Sequence, residues 1–246
     1  MYVQGVRIDN IDNEGAFSAI EEFMGRRGSP AKQVFFTNVH TIHLARRNEL
    51  FRASVNRGDL VLPDGIGLKI AGRMLGRPIL ENLNGTDFIP RLLHRAKQRA
   101  WSVYLFGAEP PVVEECYHRL TSTYPGLKIV GYHHGHVRRG EDQQVVEDIN
   151  AKSPDILLVA LGSPLQEEWI SRNAPQLRAG VCFAVGGLFD FISGRFRRAP
   201  DLVRRIGAEH LYRFVQDPRT KWRRLIIEQP LFLFLVVKAR LKGIAH

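Results

Sequence analysis

The sequence predicts an α/β fold, a mainly parallel sheet flanked by helices, with a basic helical appendage at its C-terminal end. Three observations lead there. Short β-type runs alternate with segments of helical periodicity along most of the chain. Two of those runs, Ile156-Leu157-Leu158-Val159-Ala160 and Val181-Cys182-Phe183-Ala184-Val185, are apolar at every position, as strands covered by helices on both faces are. The charge is also uneven. Of a net +10, +9 falls between Arg195 and His246, which carry 13 Lys/Arg and 4 Asp/Glu, so residues 1–194 form a nearly neutral body and 195–246 a basic tail.

Taken in order, Tyr2 to Ile8 reads as an edge strand or hairpin arm. Asp12 or Asn13 can cap a helix carrying Phe17, Ile20, Phe23 and Met24, which Gly25 and Gly28 would end. Gln33 to Thr37 is a short strand, and Ile42 to Val55 is helical, with a break near Asn48 as the alternative. Leu60 to Pro63 is a strand, Ile66 to Leu75 a helix, and Thr86 to Arg99 a helix with Phe88, Ile89, Leu92, Leu93 and Ala96 at helical spacing. Strands then fall at Ser102–Phe106, Lys128–Tyr132, Asp155–Leu161 and Gly180–Val185, with helices between them at Pro110–Tyr124, Glu141–Asn150 and Leu165–Asn173. The segment Ser193 to Pro200 is the expected boundary between body and appendage.

Composition narrows the class. With 44 % hydrophobic and 24 % charged residues the chain is an ordinary globular one and not a disordered one. Cys116 and Cys182 stand far apart, which excludes a disulfide scaffold and gives no zinc-site spacing. Met1 to Asn10 carries no long apolar run, so no signal peptide is expected. The longest apolar run, Leu231 to Val237, is far short of the roughly 20 residues of a spanning helix, so the chain is expected to lie on a membrane rather than cross it.

Several residues offer chemistry. Three strands end in glycine ahead of a helix, at Gly107, Gly162 and Gly186-Gly187, where a ligand can approach backbone and a helix N-terminus can meet a phosphate. Open α/β sheets bind ligands at that edge. Tight turns are the plainer use of each glycine. No dinucleotide fingerprint or Walker loop is present, which argues against a dehydrogenase or an ATPase. In Leu62-Pro63-Asp64-Gly65-Ile66-Gly67 a short strand delivers Asp64 into a turn, where it could serve as a general base or simply cap a helix. Thr37 and Asn38 close another strand and could bond a sugar or nucleotide; Asn38 could equally cap the next helix. Gln166 is poorly explained as a cap and could bond a substrate, whereas Glu167 and Glu168 suit the positive end of a helix dipole. His133 and His134 would point apart on a strand, so a metal site is not expected. In the tail, Arg213, Arg219 and Arg223 suit phosphate contact. The mixture of basic and apolar residues there suits anionic lipid; nucleic acid is disfavoured because stacking aromatics do not interleave with the arginines.

Together, Leu62-Pro63-Asp64-Gly65, Asn84-Gly85-Thr86-Asp87, Leu105-Phe106-Gly107, Tyr124-Pro125-Gly126-Leu127, Gly162-Ser163-Pro164-Leu165-Gln166-Glu167, Val185-Gly186-Gly187-Leu188-Phe189-Asp190, Arg197-Arg198-Ala199-Pro200 and Leu211-Tyr212-Arg213, in this order, resemble the WecG/TagA/CpsF glycosyltransferase family. The resemblance implies a Rossmann-like catalytic body over 1–194 and an appendage over 195–246 that closes on the nucleotide and associates with the membrane. It implies an inverting transfer of a hexose or N-acetylhexosamine from a UDP-sugar to a polyprenyl-diphosphate-linked sugar, in bacterial cell-surface polysaccharide or teichoic acid synthesis. No metal and no cofactor take part in that chemistry, and the enzyme would work in the cytoplasm at the inner face of the plasma membrane. By the same resemblance Asp64 is the base, Asn38 and Gln166 line the pocket beside Thr37, Gly107 and Gly162, and Arg213, Arg219 and Arg223 meet the diphosphate. Two positions depart from the family pattern, Phe36 standing where Thr is common and Asn82 where Arg is common, and they leave N-acetylmannosamine, its uronic acid and glucose all open as the donor sugar. The rival class is a non-catalytic basic α/β protein binding anionic lipid or nucleic acid, which would need the tail but not Asp64. Symmetric association into a homo-oligomer would shelter the apolar tail surface.

Overall fold

The structure, a computed structural model, describes residues 1–26, 30–137, 142–200, 203 and 209–241. The expectations for Gly28 and Glu141 fall outside the described residues. Six strands form one all-parallel sheet in the order β4-β3-β8-β7-β5-β6. They are β3 (Lys32–Thr37), β4 (Leu60–Pro63), β5 (Ser102–Gly107), β6 (Lys128–His133), β7 (Ile156–Ala160) and β8 (Val181–Ala184). The first residues form a separate antiparallel hairpin, β1 (Tyr2–Val3) with β2 (Val6–Arg7), turned through positive φ at Gln4 and Gly5.

Strand alternation splits the core into two layers. Phe35, Tyr104, Phe106, Leu157, Val159 and Cys182 face one layer. Its helices are α2 (Val39–Arg47), α3 (Glu49–Asn56), α4 (Ile66–Met74), α7 (Asp142–Lys152) and α8 (Leu165–Asn173). Val34, Phe36, Leu62, Val103, Leu105, Leu158 and Phe183 face the other. There they meet α1 (Asn13–Gly25), α5 (Gly85–Gln98), α6 (Pro110–Thr123) and α9 (Leu188–Ile192). Both faces of every central strand are thus dry, which is why the strand runs are continuously apolar.

Local chemistry sets the helix ends. Asp12 caps α1 by accepting from Gly15 N–H at 2.8 Å. The helix after β3 begins at Val39, ahead of the expected Ile42, because Asn38 caps it and accepts from Thr41 N–H at 3.1 Å. It stops at Asn48, whose extended backbone ends α2 while its side chain caps α3 by accepting from Phe51 N–H at 3.0 Å. Residues 42–55 therefore form two helices.

The C-terminal segment is α10 (Glu209–Gln216), α11 (Pro218–Arg223), a π-helical turn (Arg224–Glu228) and α12 (Gln229–Leu241). Helix α12 lies against α4 and α2 and sends Phe232 and Val236 into the first core layer, beside Val39, Leu68 and Ala71. Burying two such side chains contributes about 1.5–3 kcal/mol each, a large share of a domain's net stability. Gln4 Nε2 also donates to the Phe232 carbonyl at 3.2 Å, and the Arg240 guanidinium to the Met74 carbonyl. No helix among the described residues is long and apolar enough to cross a membrane.

The glycines at the strand ends are not equivalent. Gly107 has φ +127°, and a Cβ there would lie 2.5 Å from the Ala160 carbonyl, so only glycine lets β5 sit this close to the end of β7. Gly162 has φ +75° with open space around the missing Cβ. Gly107→Ala is therefore expected to destabilise by about 3 kcal/mol or more, and Gly162→Ala by only about 1 kcal/mol. Urea denaturation of the two variants checks the order; equal losses would contradict it.

Candidate active site

In a parallel sheet all carboxyl ends fall on one edge, and the register here aligns them closely. Thr37 pairs with Pro63, Phe35 with Ala184, Val159 with Ala184, and Gly107 with Ala160. The chain leaves β7 toward β8 but leaves β5 toward β6, so the neighbouring loops part and a crevice opens between them. A cleft of about 440 Å³ runs along this edge, from Asn38 and Asp64 past Ala160 to Gly187, to Ala108, Glu109 and His136.

At one end, the residues following the paired Thr37 and Pro63 are Asn38 and Asp64, so register alone makes them neighbours. Asp64 N–H donates to the Thr37 carbonyl at 2.8 Å. Asn38 is held by its cap, and its free amide end donates from Nδ2 to Asp64 Oδ2 at 3.3 Å. The turn beyond Asp64 is fixed from Asn82, whose Oδ1 accepts from Gly65 N–H at 2.6 Å, with Gly65 at φ +101°. Asn82 thus secures the backbone that presents Asp64. Thr37 itself is fully buried and its hydroxyl has no hydrogen-bond partner among the described residues, while its carbonyl receives the Asp64 N–H.

Toward the middle, Gln166 ties two strand ends together. Its Oε1 accepts from Gly186 N–H at 2.8 Å, and its Nε2 donates to Glu167 Oε1 at 3.0 Å. Ser163 Oγ donates to the same Glu167 oxygen at 2.7 Å. Glu167 stands in the first turn of α8, as the helix dipole favours, but its side chain is buried, and burial pushes its carboxyl above the usual range despite the bonds from Ser163 and Gln166. Gly162 lines the cleft, whereas Gly107 is turned into the contact with Ala160 and Ala108 lines in its place.

Among the described side chains, the arginines of the cleft are other than Arg219 and Arg223. Arg195 and Arg224 line it. Arg195 Nη1 sits 2.7 Å from Glu109 Oε1 and 3.7 Å from Asp190 Oδ1, bridging the ends of β5 and β8. Arg219 and Arg223 are exposed and not among the lining residues, the Arg223 guanidinium lying 5.6 Å from the Trp222 ring. Arg213 stands on α10, and its side chain lies outside what the structure describes. The helix α5 opens on the cleft with Gly85 and Thr86, under the Asn84 cap. Its Asp87 pairs with Arg198, which fastens the segment Arg197-Arg198-Ala199-Pro200 to the body. Near the far end, His133 Nδ1 bonds the His134 carbonyl at 2.7 Å. No group of three or more His, Cys, Asp or Glu side chains gathers as a metal cluster among the described residues.

Fold and cleft together define an open-sheet α/β protein with a cleft at the carboxyl ends of its strands, the edge at which such sheets bind ligands. The chain belongs to the WecG/TagA/CpsF family of glycosyl transferases, whose sequence model matches residues 1–245. Among curated relatives it is similar to the N-acetylglucosaminyldiphosphoundecaprenol N-acetyl-beta-D-mannosaminyltransferase of Bacillus spizizenii, at 34 % identity over 79 % of this chain and 74 % of the relative. The proteins of that name from Staphylococcus aureus strains MW2 and NCTC 8325 are 28 % identical over 98 % of this chain and 93 % of theirs.

The raised Glu167 carboxyl carries a stability consequence. Below the ordinary glutamate pKa of about 4.3 both folded and unfolded chains hold the proton, and its contribution is complete. As pH rises the unfolded chain ionises first, so that contribution is progressively lost toward the folded pKa. Glu167→Gln removes the titrating group. Relative to wild type its unfolding free energy is expected to gain as pH is raised from about 5 to about 8. A difference independent of pH in urea titrations would mean that Glu167 is ionised in the fold.

Proposed function

We propose that this chain moves a hexose or N-acetylhexosamine from a UDP-sugar to a polyprenyl-diphosphate-linked sugar, by a single inverting displacement that needs no metal. The observation that carries the reading is Asp64, presented at the sheet edge with the Asn38 amide on one of its oxygens. The names of the relatives favour N-acetylmannosamine as the donor sugar and an N-acetylglucosaminyl-diphosphate lipid as the acceptor.

In this reading Asp64 takes the proton of the acceptor hydroxyl as that oxygen bonds to the anomeric carbon. The bond from the anomeric carbon to the diphosphate breaks in the same step, and its electron pair leaves on the β-phosphate oxygen of UDP. Arg195 and Arg224, with the N–H groups that open α5, are suited to hold that developing charge. The Asn38 bond orients the carboxylate without neutralising it, so its second oxygen can face the acceptor. Peripheral attachment to an anionic membrane completes the proposal. Ile226, Phe234 and Leu241 are 60 %, 61 % and 82 % exposed on the C-terminal helices, with Lys238 and Arg240 alongside.

The test is UDP release from a panel of UDP-sugars, with a synthetic polyprenyl-diphosphate sugar as acceptor. Release is expected only with both substrates, and Asp64→Asn is expected to lower the rate by about 10² or more. An Asp64→Asn enzyme that turns over like wild type would refute the base.

A further inference from the structure

The C-terminal segment is fastened to the body by a side-chain pair at the rim of the cleft. His40 Nδ1 lies 2.7 Å from Glu228 Oε2, with side chains only 19 % and 10 % exposed. A carboxylate can only accept, so the imidazole donates from Nδ1. Burial would raise the Glu228 carboxyl, but the hydrogen bond and charge of His40, with His43 and Arg224, outweigh it and hold the group below the usual range. The charged and titratable neighbours are His43 from α2, Glu167 from α8 through its interaction with His40, and Arg224 from the π turn itself.

The two partners occupy consequential places. His40 is two residues beyond Asn38, on the helix whose cap holds Asp64, and it lines the cleft. Glu228 closes the π turn that Arg224 opens, and Gln229 N–H returns to the Arg224 carbonyl five residues back. Such wide turns recur at functional sites because they rephase the side chains of a helix. Here Glu228, Phe232 and Val236, four apart, all turn to the body, while Arg223 faces solvent and Arg224 reaches the cleft.

We infer that His40 and Glu228 are positioning residues, a buried latch that fixes the π turn so that Arg224 is held at the cleft for the diphosphate of the bound nucleotide. The inference rests on the UDP-sugar reading for its ligand, but not for the latch itself. A latch of this kind acts through Arg224, so its loss and the loss of Arg224 must overlap.

The experiment compares wild type, Glu228→Ala, Glu228→Gln, Arg224→Ala and the Glu228→Ala/Arg224→Ala double variant, by UDP binding calorimetry and by amide hydrogen exchange. Glu228→Ala is expected to weaken UDP about tenfold, the scale of one charge-assisted bond, and to speed exchange in 209–241 while the sheet stays protected. Glu228→Gln, which keeps an acceptor for His40 and so guards against a folding failure, is expected to lie between. The double variant is expected to bind no more weakly than Arg224→Ala alone. Additive losses, or unchanged UDP affinity in Glu228→Ala with wild-type binding intact, would overturn the positioning role. If wild type binds no UDP, the functional reading fails; unchanged exchange in 209–241 for Glu228→Ala would then overturn the latch as well, and faster exchange would uphold it.

Discussion

Thr37 pairs with Pro63 across β3 and β4, and the meeting of Asn38 with Asp64 at the cleft depends on that pairing. A slip of one residue would turn the side chains of β4 to the opposite layer and move Asp64 away from Asn38. The register is fixed by the two dry faces of the sheet: Phe36 and Leu62 must face the α5 side together, and Phe35 and Val61 the α2 side. Packing forces that have nothing to do with catalysis therefore set the distance between a carboxylate and the amide that orients it.

The same edge collects groups from distant parts of the chain. Asn38 and Asp64 come from one half of the sheet, Gln166 and Gly186 from the middle, and Glu109 from the other half. Three of the lining side chains are held by further bonds: Asn38 by its helix cap, Gln166 by Glu167 and Gly186, and Arg195 by Glu109 and Asp190. The C-terminal helices close the arrangement. Through Phe232 and Val236 they share the core of the body, so the segment carrying Arg224 is anchored by burial as well as by its contact with His40.

Much of this was legible in the residues. The parallel sheet followed from strands without a polar face, and Asp64 stood out because a short apolar strand ends in Asp-Gly. Asn38 could be read as a cap or as a site residue; the structure shows the cap and adds a bond to Asp64, a neighbour 26 residues away that local pattern does not reveal. Glu167 could be read only as an acid suited to a helix N-terminus, and its burial depends on the layer that packs around α8, which local sequence does not reveal. The arginines were the least legible. Arg224 opens a π turn, whose side-chain phase a regular helical pattern does not predict, and Arg195 sat in what reads as a connector. Gly107 illustrates a further ambiguity, since a glycine at a strand end serves close packing as readily as ligand approach.

The central claim, that Asp64 activates the acceptor for a single direct displacement at the anomeric carbon, is tested most directly by the configuration of the product. Proton NMR of the disaccharide formed from an α-linked UDP-sugar should show a β-linkage at the transferred residue, because one backside attack inverts the centre. Retention of the α configuration would require a second displacement or a front-face mechanism, and would contradict the role assigned to Asp64.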